Sequence, residues 1–224
     1  LNIIHETKDI IIVNKPAGQL SQGAKGFDLD LVSEVMTYNA SQGKPAYAAI
    51  INRLDRPVSG LVLIAKNKSA AAKYSTLMQK EGGFNKQYEA LICGKLSELK
   101  GTFVDYLKKD GRTNTSAIVP ADSAANDKEA KLSKLEYEVI SYDEVKDITH
   151  VRIHLITGRH HQIRVQFASR RHPLVGDYKY ATADCGMDNA VKAVALKRNQ
   201  IALCAVSLTV DNKTYSVAPE FSIG

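Results

Sequence analysis

Cysteine is scarce in this chain of 224 residues: Cys93, Cys185 and Cys204 stand far apart and form no CxxC pair. An odd, dispersed set argues against a disulfide framework and against a structural zinc site, and fits a reducing cytoplasm. No apolar run reaches the roughly 20 residues that a membrane span needs. The opening LNIIHETKDIIIVNKP carries acids, lysines and an early proline where a signal peptide would be apolar. The glycine-rich SQGAKG, from Ser21, lacks the lysine-hydroxyl ending of a phosphate-binding loop, and no GxGxxG occurs. Ser59 does not sit in a GxSxG elbow. His160 and His161 are adjacent, so they do not share a helix face, and no HExxH accompanies them. Common NTPase, nicotinamide, serine-hydrolase and zinc-peptidase chemistries are therefore without support. Internal repeats and low-complexity segments are also missing.

What is present is ordinary for a globular protein: 44% hydrophobic and 24% charged residues, enough to bury a core without staples. The length suits one large domain or two small lobes sharing a core. Thirty Lys and Arg against 24 Asp and Glu give a net charge of +6 and permit a polyanionic partner.

Patterning alternates short strands with a few helices. Ile10 to Val13 reads as a buried strand stopped by Pro16 and Gly18. Asp28 to Ala40 has helical spacing in Leu29, Val32 and Met36. Leu61 to Ala65 is an apolar run of strand length. Asn67 or Ser69 can cap a helix running to Lys80, with Ala70, Tyr74, Leu77 and Met78 on one face and Gly82-Gly83 after it. KQYEALICG and Thr102 to Leu107 read as further strands. The polar stretch from Lys108 to Ala130 reads as a hairpin with a loose connection. LSKLEYEVI and HVRIHLI both alternate, Val151, Ile153 and Leu155 facing opposite to His150, Arg152 and His154. A basic helix is predicted after Gly158, placing His160, Arg164 and Arg171 near one face and Ile163 and Phe167 on another. QIALCAVSLTV supplies a late strand. Strands that follow each other directly predict an α+β fold with a mixed, largely antiparallel sheet and flanking helices.

Three clusters can carry chemistry. In INRLDRPVSG, Arg53 and Arg56 flank Asp55, and nearby cations keep a carboxylate ionised. In TGRHHQIRVQFASRRHP, Arg164 lies among apolar neighbours, where an arginine can point inward to a carboxylate, whereas Arg170 and Arg171 read as solvated. Tyr88, on a predicted strand, suits packing, base stacking or proton handling.

Taken in order, IIVNKPAGQ, INRLDRPVSGLVLIAKN, FNKQYEALICG and LITGRHHQIRVQFASRRHPLVGDYKY resemble the RluA-type pseudouridine synthases. IALCAVSLTV adds a weaker echo. The resemblance implies a mixed α/β core whose antiparallel sheet is divided by the active-site cleft. It implies one catalytic domain spanning 1–224, without the small N-terminal RNA-binding domain of many relatives. It implies isomerisation of uridine in rRNA or tRNA, with no cofactor and no metal, in a monomer. Asp55 then matches the essential aspartate, Tyr88 the active-site tyrosine and Arg164 the basic partner of the aspartate. Arg53 matches the arginine implicated in displacing the target base, while Leu54 and Gly60 shape the catalytic loop. Arg56, Arg159, His161 and Gln162 complete the set expected at the RNA or the base.

Breaking an N-glycosidic bond, turning the uracil and rejoining it through C5 requires an anionic group beside the ribose and a platform under the base. Extracting the uridine costs a few kcal/mol of stacking. The chain departs from the family pattern at Asn52, where histidine is common, and at Val58 and His160, where threonine is. Cys204 likewise replaces a usual histidine. A non-catalytic RNA-binding protein on the same scaffold is the alternative. Glycosidase chemistry would need a second acid facing Asp55, and strand alternation turns Glu89 away from Tyr88.

Overall fold

The computed structural model describes residues 1–23, 29–80, 83–197 and 199–223. Their contacts fall into two compact units, residues 1–85 with 204–220 and residues 86–203 with 221–224.

The first unit opens with β1 (Ile3–Glu6) and β2 (Ile10–Lys15), paired antiparallel. β2 outruns its apolar core by two residues, ending on Lys15. Helix α1 (Leu31–Ser41) starts where Asp30 Oδ1 accepts from the Ser33 amide at 2.8 Å. The predicted start at Asp28 lies outside the described residues. β3 (Ala49–Ile50) leads through the 51–58 loop to β4 (Ser59–Ala65), whose seven residues are all buried. Helix α2 (Lys68–Gln79) is capped by Asn67, whose Oδ1 accepts from the Ala70 amide at 2.8 Å. Gly82, the expected stop, is also outside the described residues. Ala70 and Tyr74 turn onto a core of Ile10, Ile12, Leu61, Leu63 and Phe84, with Leu77 and Met78 against its edge. Each fully buried aliphatic side chain there stabilises the unit by about 1.5–3 kcal/mol.

The second unit contains β5 (Asn85–Cys93), β6 (Lys100–Asp110), β7 (Thr115–Val119), the one-turn α3 (Ala121–Ala124), β8 (Lys131–Asp143) and β9 (Ile148–Leu155). Its strands run β5-β9-β8-β6-β7, each pair antiparallel. The polar stretch forms the expected hairpin between β6 and β7. In β9, Val151, Ile153 and Leu155 are buried while Arg152 is exposed, as the alternation requires.

Two short helices follow, α4 (Gln162–Ala168) and α5 (Met187–Ala193). The helix predicted from Gly158 is thus shorter and begins later. His161 adopts φ +53° and Arg171 φ +66°, left-handed values that bound the helix and leave His160 and Arg171 off it. Residues 162–167 are all buried, Arg164 among them, while Arg171 is exposed as expected. Phe167 meets Phe103 and Tyr137 at ring separations of 5.1 and 5.9 Å. Arg170, expected in solvent, instead grips Asp105 at 3.0 and 3.1 Å and lies 4.0 Å over the Phe103 ring. Strands β10 (Leu203–Val210) and β11 (Lys213–Ser216) pair antiparallel, and from Cys204 on they complete the first unit. There β10 lies parallel to β4, with Cys204 opposite Ser59. The second unit is thus an antiparallel sheet and the first a mixed one, antiparallel but for β4 with β10, each with few helices, which is the α+β class expected.

Candidate active site

The first unit carries Arg53, Leu54, Asp55, Arg56 and Gly60 on the 51–58 loop and the start of β4. Arg53 and Arg56 are exposed, Leu54 is buried and Asp55 is half-buried. The loop is fixed from beneath by side chains that are themselves inside. Asn52 Oδ1 accepts from the Leu63 amide at 2.7 Å, and its Nδ2 donates to Leu61 O at 3.1 Å. Ser21 Oγ donates to Leu54 O at 2.6 Å and accepts from Leu54 N at 3.2 Å. A turn closes on Asp55, whose carbonyl accepts from Val58 N at 3.0 Å. Arg56 and Gly18 exchange bonds, Gly18 N to Arg56 O at 2.7 Å and Arg56 Nε to Gly18 O at 2.9 Å.

Lys15 is fully buried and was not singled out from the sequence. Its ammonium donates to the carbonyls of Pro16, Gln19 and Arg56 at 2.9, 2.9 and 3.4 Å, one for each proton. Burial pulls its pKa down to about 8, and the negative charge of Asp55 acts against that fall. The signal was a lone lysine closing the apolar run DIIIVNK. Gly60 has φ +117°, and a Cβ there would lie 2.4 Å from Ala205 O, so only glycine lets β4 and β10 approach.

The second unit carries Tyr88, Arg159, His161, Gln162 and Arg164. Tyr88 is buried on β5 opposite Ile153. Glu89 takes the other face, accepting from Arg152 Nη2 at 2.9 Å and lying 3.1 Å from His150 Nε2. Arg164 points inward, as expected. Its Nε and Nη2 donate to Asp177 Oδ2 and Oδ1 at 2.7 and 2.8 Å, a buried fork. The Tyr180 ring lies 5.1 Å from the guanidinium. Tyr180 Oη accepts from Ser116 N at 2.8 Å and is 2.6 Å from His161 Nδ1. His160 Nδ1 lies 2.9 Å from Ser116 Oγ, and the two imidazoles stack at 3.7 Å.

Asp177, Tyr180 and Ser116 were missed. The first two sit in the quoted GDYKY, but nothing local says that their partner is thirteen or sixteen positions upstream. Gln162 is inside: Oε1 accepts from Thr157 Oγ1 at 2.8 Å and Arg159 N at 3.0 Å, and Nε2 donates to Lys134 O at 3.1 Å. Arg159 is exposed, its Nε donating to Leu132 O at 2.9 Å. Among the described residues no cluster of His, Cys, Asp and Glu could hold a metal, and no helix is long and apolar enough to cross a membrane.

A sequence profile of the RNA pseudouridylate synthases matches residues 9–169, which include Asp55, Tyr88 and Arg164. The chain belongs to that family. Ribosomal large subunit pseudouridine synthase D of Haemophilus ducreyi is 34% identical over 181 residues, covering 80% of this chain and 52% of that protein. The chain spans about half the length of the curated relatives it matches. Human RNA pseudouridylate synthase domain containing 1 shares the fold with a TM-score of 0.73 at 23% identity, over 98% of this chain and 83% of that one. Human RNA pseudouridylate synthase domain containing 4 does so at 0.75 and 19%, over 97% and 88%.

The four departures from the family pattern now have surroundings. Asn52 ties the loop to β4, Val58 and Cys204 are buried, and His160 bonds Ser116. None of them replaces Asp55, Tyr88 or Arg164.

Proposed function

We propose that this chain converts uridine in structured RNA to pseudouridine, with Asp55 as the catalytic carboxylate. The observation that carries the reading is the family match across residues 9–169, within which Asp55, Tyr88 and Arg164 keep the expected residue types. The reaction breaks C1′–N1 and forms C1′–C5; the hydrogen on C5 leaves as a proton and N1 takes one up. It is an isomerisation, so it consumes no oxidant and no nucleotide. The Asp55 carboxyl group serves the ribose as glycosidic cleavage develops charge there. Tyr88 is the platform for the freed uracil, and Arg164 is a fixed cation of the second unit. Exposed Arg53 meets the RNA and fills the space left by the extracted uridine. Large-subunit ribosomal RNA is the first substrate to offer, because the relative's name specifies it. A cytoplasmic monomer goes with this reading, and light scattering checks the oligomeric state.

The test is tritium release from RNA labelled at uracil C5 and taken from cells lacking this protein, with ribosomal and transfer RNA assayed separately. Release by wild type and none by Asp55→Ala supports the reading. RNA binding by folded wild type with no release from any fraction supports the non-catalytic alternative.

A further inference from the structure

We propose that Ser21 and Asn52 are positioning residues for this reaction: two buried side chains that set the backbone orientation from which Asp55 acts. The inference rests on the proposed synthase activity. It gives a role to SQGAKG, whose serine had none.

The geometry is that of a two-point clamp. The Ser21 hydroxyl has one proton and two lone pairs, and it spends both functions on Leu54. It donates to Leu54 O at 2.6 Å and accepts from Leu54 N at 3.2 Å. Leu54 O belongs to the peptide that enters Asp55, and Leu54 N to the peptide before it. One side chain therefore fixes both planes leading to the carboxylate. Ser21 and Leu54 are each 6% exposed, so water does not readily replace this contact.

Asn52 holds the start of the same loop. Its carboxamide imitates a peptide unit against β4, giving a proton to Leu61 O and taking one from Leu63 N, at 3.1 and 2.7 Å. Beside it, Ile51 N donates to Leu63 O at 2.9 Å. The loop is thus registered on the strand three residues before Asp55 and held again at the residue before it. A reacting group displaced by about 1 Å can lose on the order of 100-fold in rate. The clamp makes such a displacement costly without touching the RNA.

The experiment is single-turnover tritium release from C5-labelled large-subunit ribosomal RNA, or from whichever fraction wild type modifies. Wild type, Ser21→Ala, Ser21→Thr, Asn52→Asp and Asp55→Ala are compared well below each melting temperature, with the Kd for the same RNA measured in parallel. Asn52→Asp keeps the acceptor but puts an oxygen where Leu61 O needs a donor. We expect Ser21→Ala and Asn52→Asp to lower the rate by about 100-fold while Kd stays within about twofold. Ser21→Thr, which keeps the hydroxyl, restores most of the rate. A lowered melting temperature with an unchanged rate overturns the inference, as does a loss confined to Kd or a threonine variant no better than alanine. Should Ser21→Ala not fold, Ser21→Cys carries the same comparison with a weaker donor of similar size. Release by wild type and by both clamp variants, with none by Asp55→Ala, overturns the positioning role alone. No release by wild type overturns the synthase reading itself.

Discussion

Arg164 and Asp177 form a two-pronged ion pair in the second unit, with N–O distances of 2.7 and 2.8 Å and side chains 6% and 1% exposed. The guanidinium is planar, so two parallel bonds fix its orientation as well as its place. Removing one partner leaves the other charged and buried, at a cost of about 3–5 kcal/mol. Asp177→Asn and Arg164→Met are each expected to lose that order of stability in urea melts. The double variant Arg164→Met, Asp177→Leu recovers a large part of it, because no charge remains to be solvated. Activity does not return with stability in the double variant, since the cation itself is gone. Additive losses in the double variant would show that the pair is not a unit.

Asp55→Asn is expected to abolish pseudouridine formation while RNA affinity, read by filter binding, changes by less than about threefold. The side chain is half-buried on a loop whose backbone Ser21 holds at Leu54. A tenfold loss of affinity would reassign Asp55 to RNA binding or to loop structure.

Gly60→Ala is expected to be among the most damaging single-methyl additions in the chain. Its φ of +117° strains an L side chain, and the new carbon would meet Ala205 O at 2.4 Å. Neither backbone can give way without parting β4 from β10, so we expect a loss on the order of 3 kcal/mol or more. Calorimetry checks it; a melting temperature within a degree of wild type would contradict the close approach.

Lys15 gives an alkaline signature. Burial lowers its pKa from 10.5 to about 8, against the opposing charge of Asp55. The folded state is then the weaker proton binder between those values, so the contribution of this group to stability rises with pH from about 8 to about 10.5. In Lys15→Met the slope of unfolding free energy across that range should be less positive, by a total on the order of 3 kcal/mol. Parallel curves for the two proteins would count against a buried, titrating ammonium.

Glu6 gives the opposite signature in acid. The hydrogen bond from Lys66, with help from Tyr38 and Lys44 and against burial, holds its pKa down at about 2 instead of 4.5. Its stabilisation is complete above pH 4.5 and is lost as pH falls toward 2. Glu6→Gln should flatten that part of the acid-denaturation curve, and equal midpoints would refute the assignment.

The sequence by itself determined what depends on near neighbours and period. The buried run of β4, the Asn67 cap, the alternation of β9 and the α+β class all follow from local chemistry repeated along the chain. The order of INRLDRPVSG, KQYEALICG and GRHHQIRV was enough to place the chain in its family. Tertiary structure alone decided which partner each polar group found. Helical spacing put His160 and Arg171 beside Arg164, but left-handed backbone at 161 and 171 takes them off the helix, and Asp177 claims the guanidinium. Ser21 reaches Leu54 across thirty-three positions and Lys15 reaches Arg56 across forty-one. A buried polar group must be paired somewhere, and the spacing of residues in a sequence does not say where.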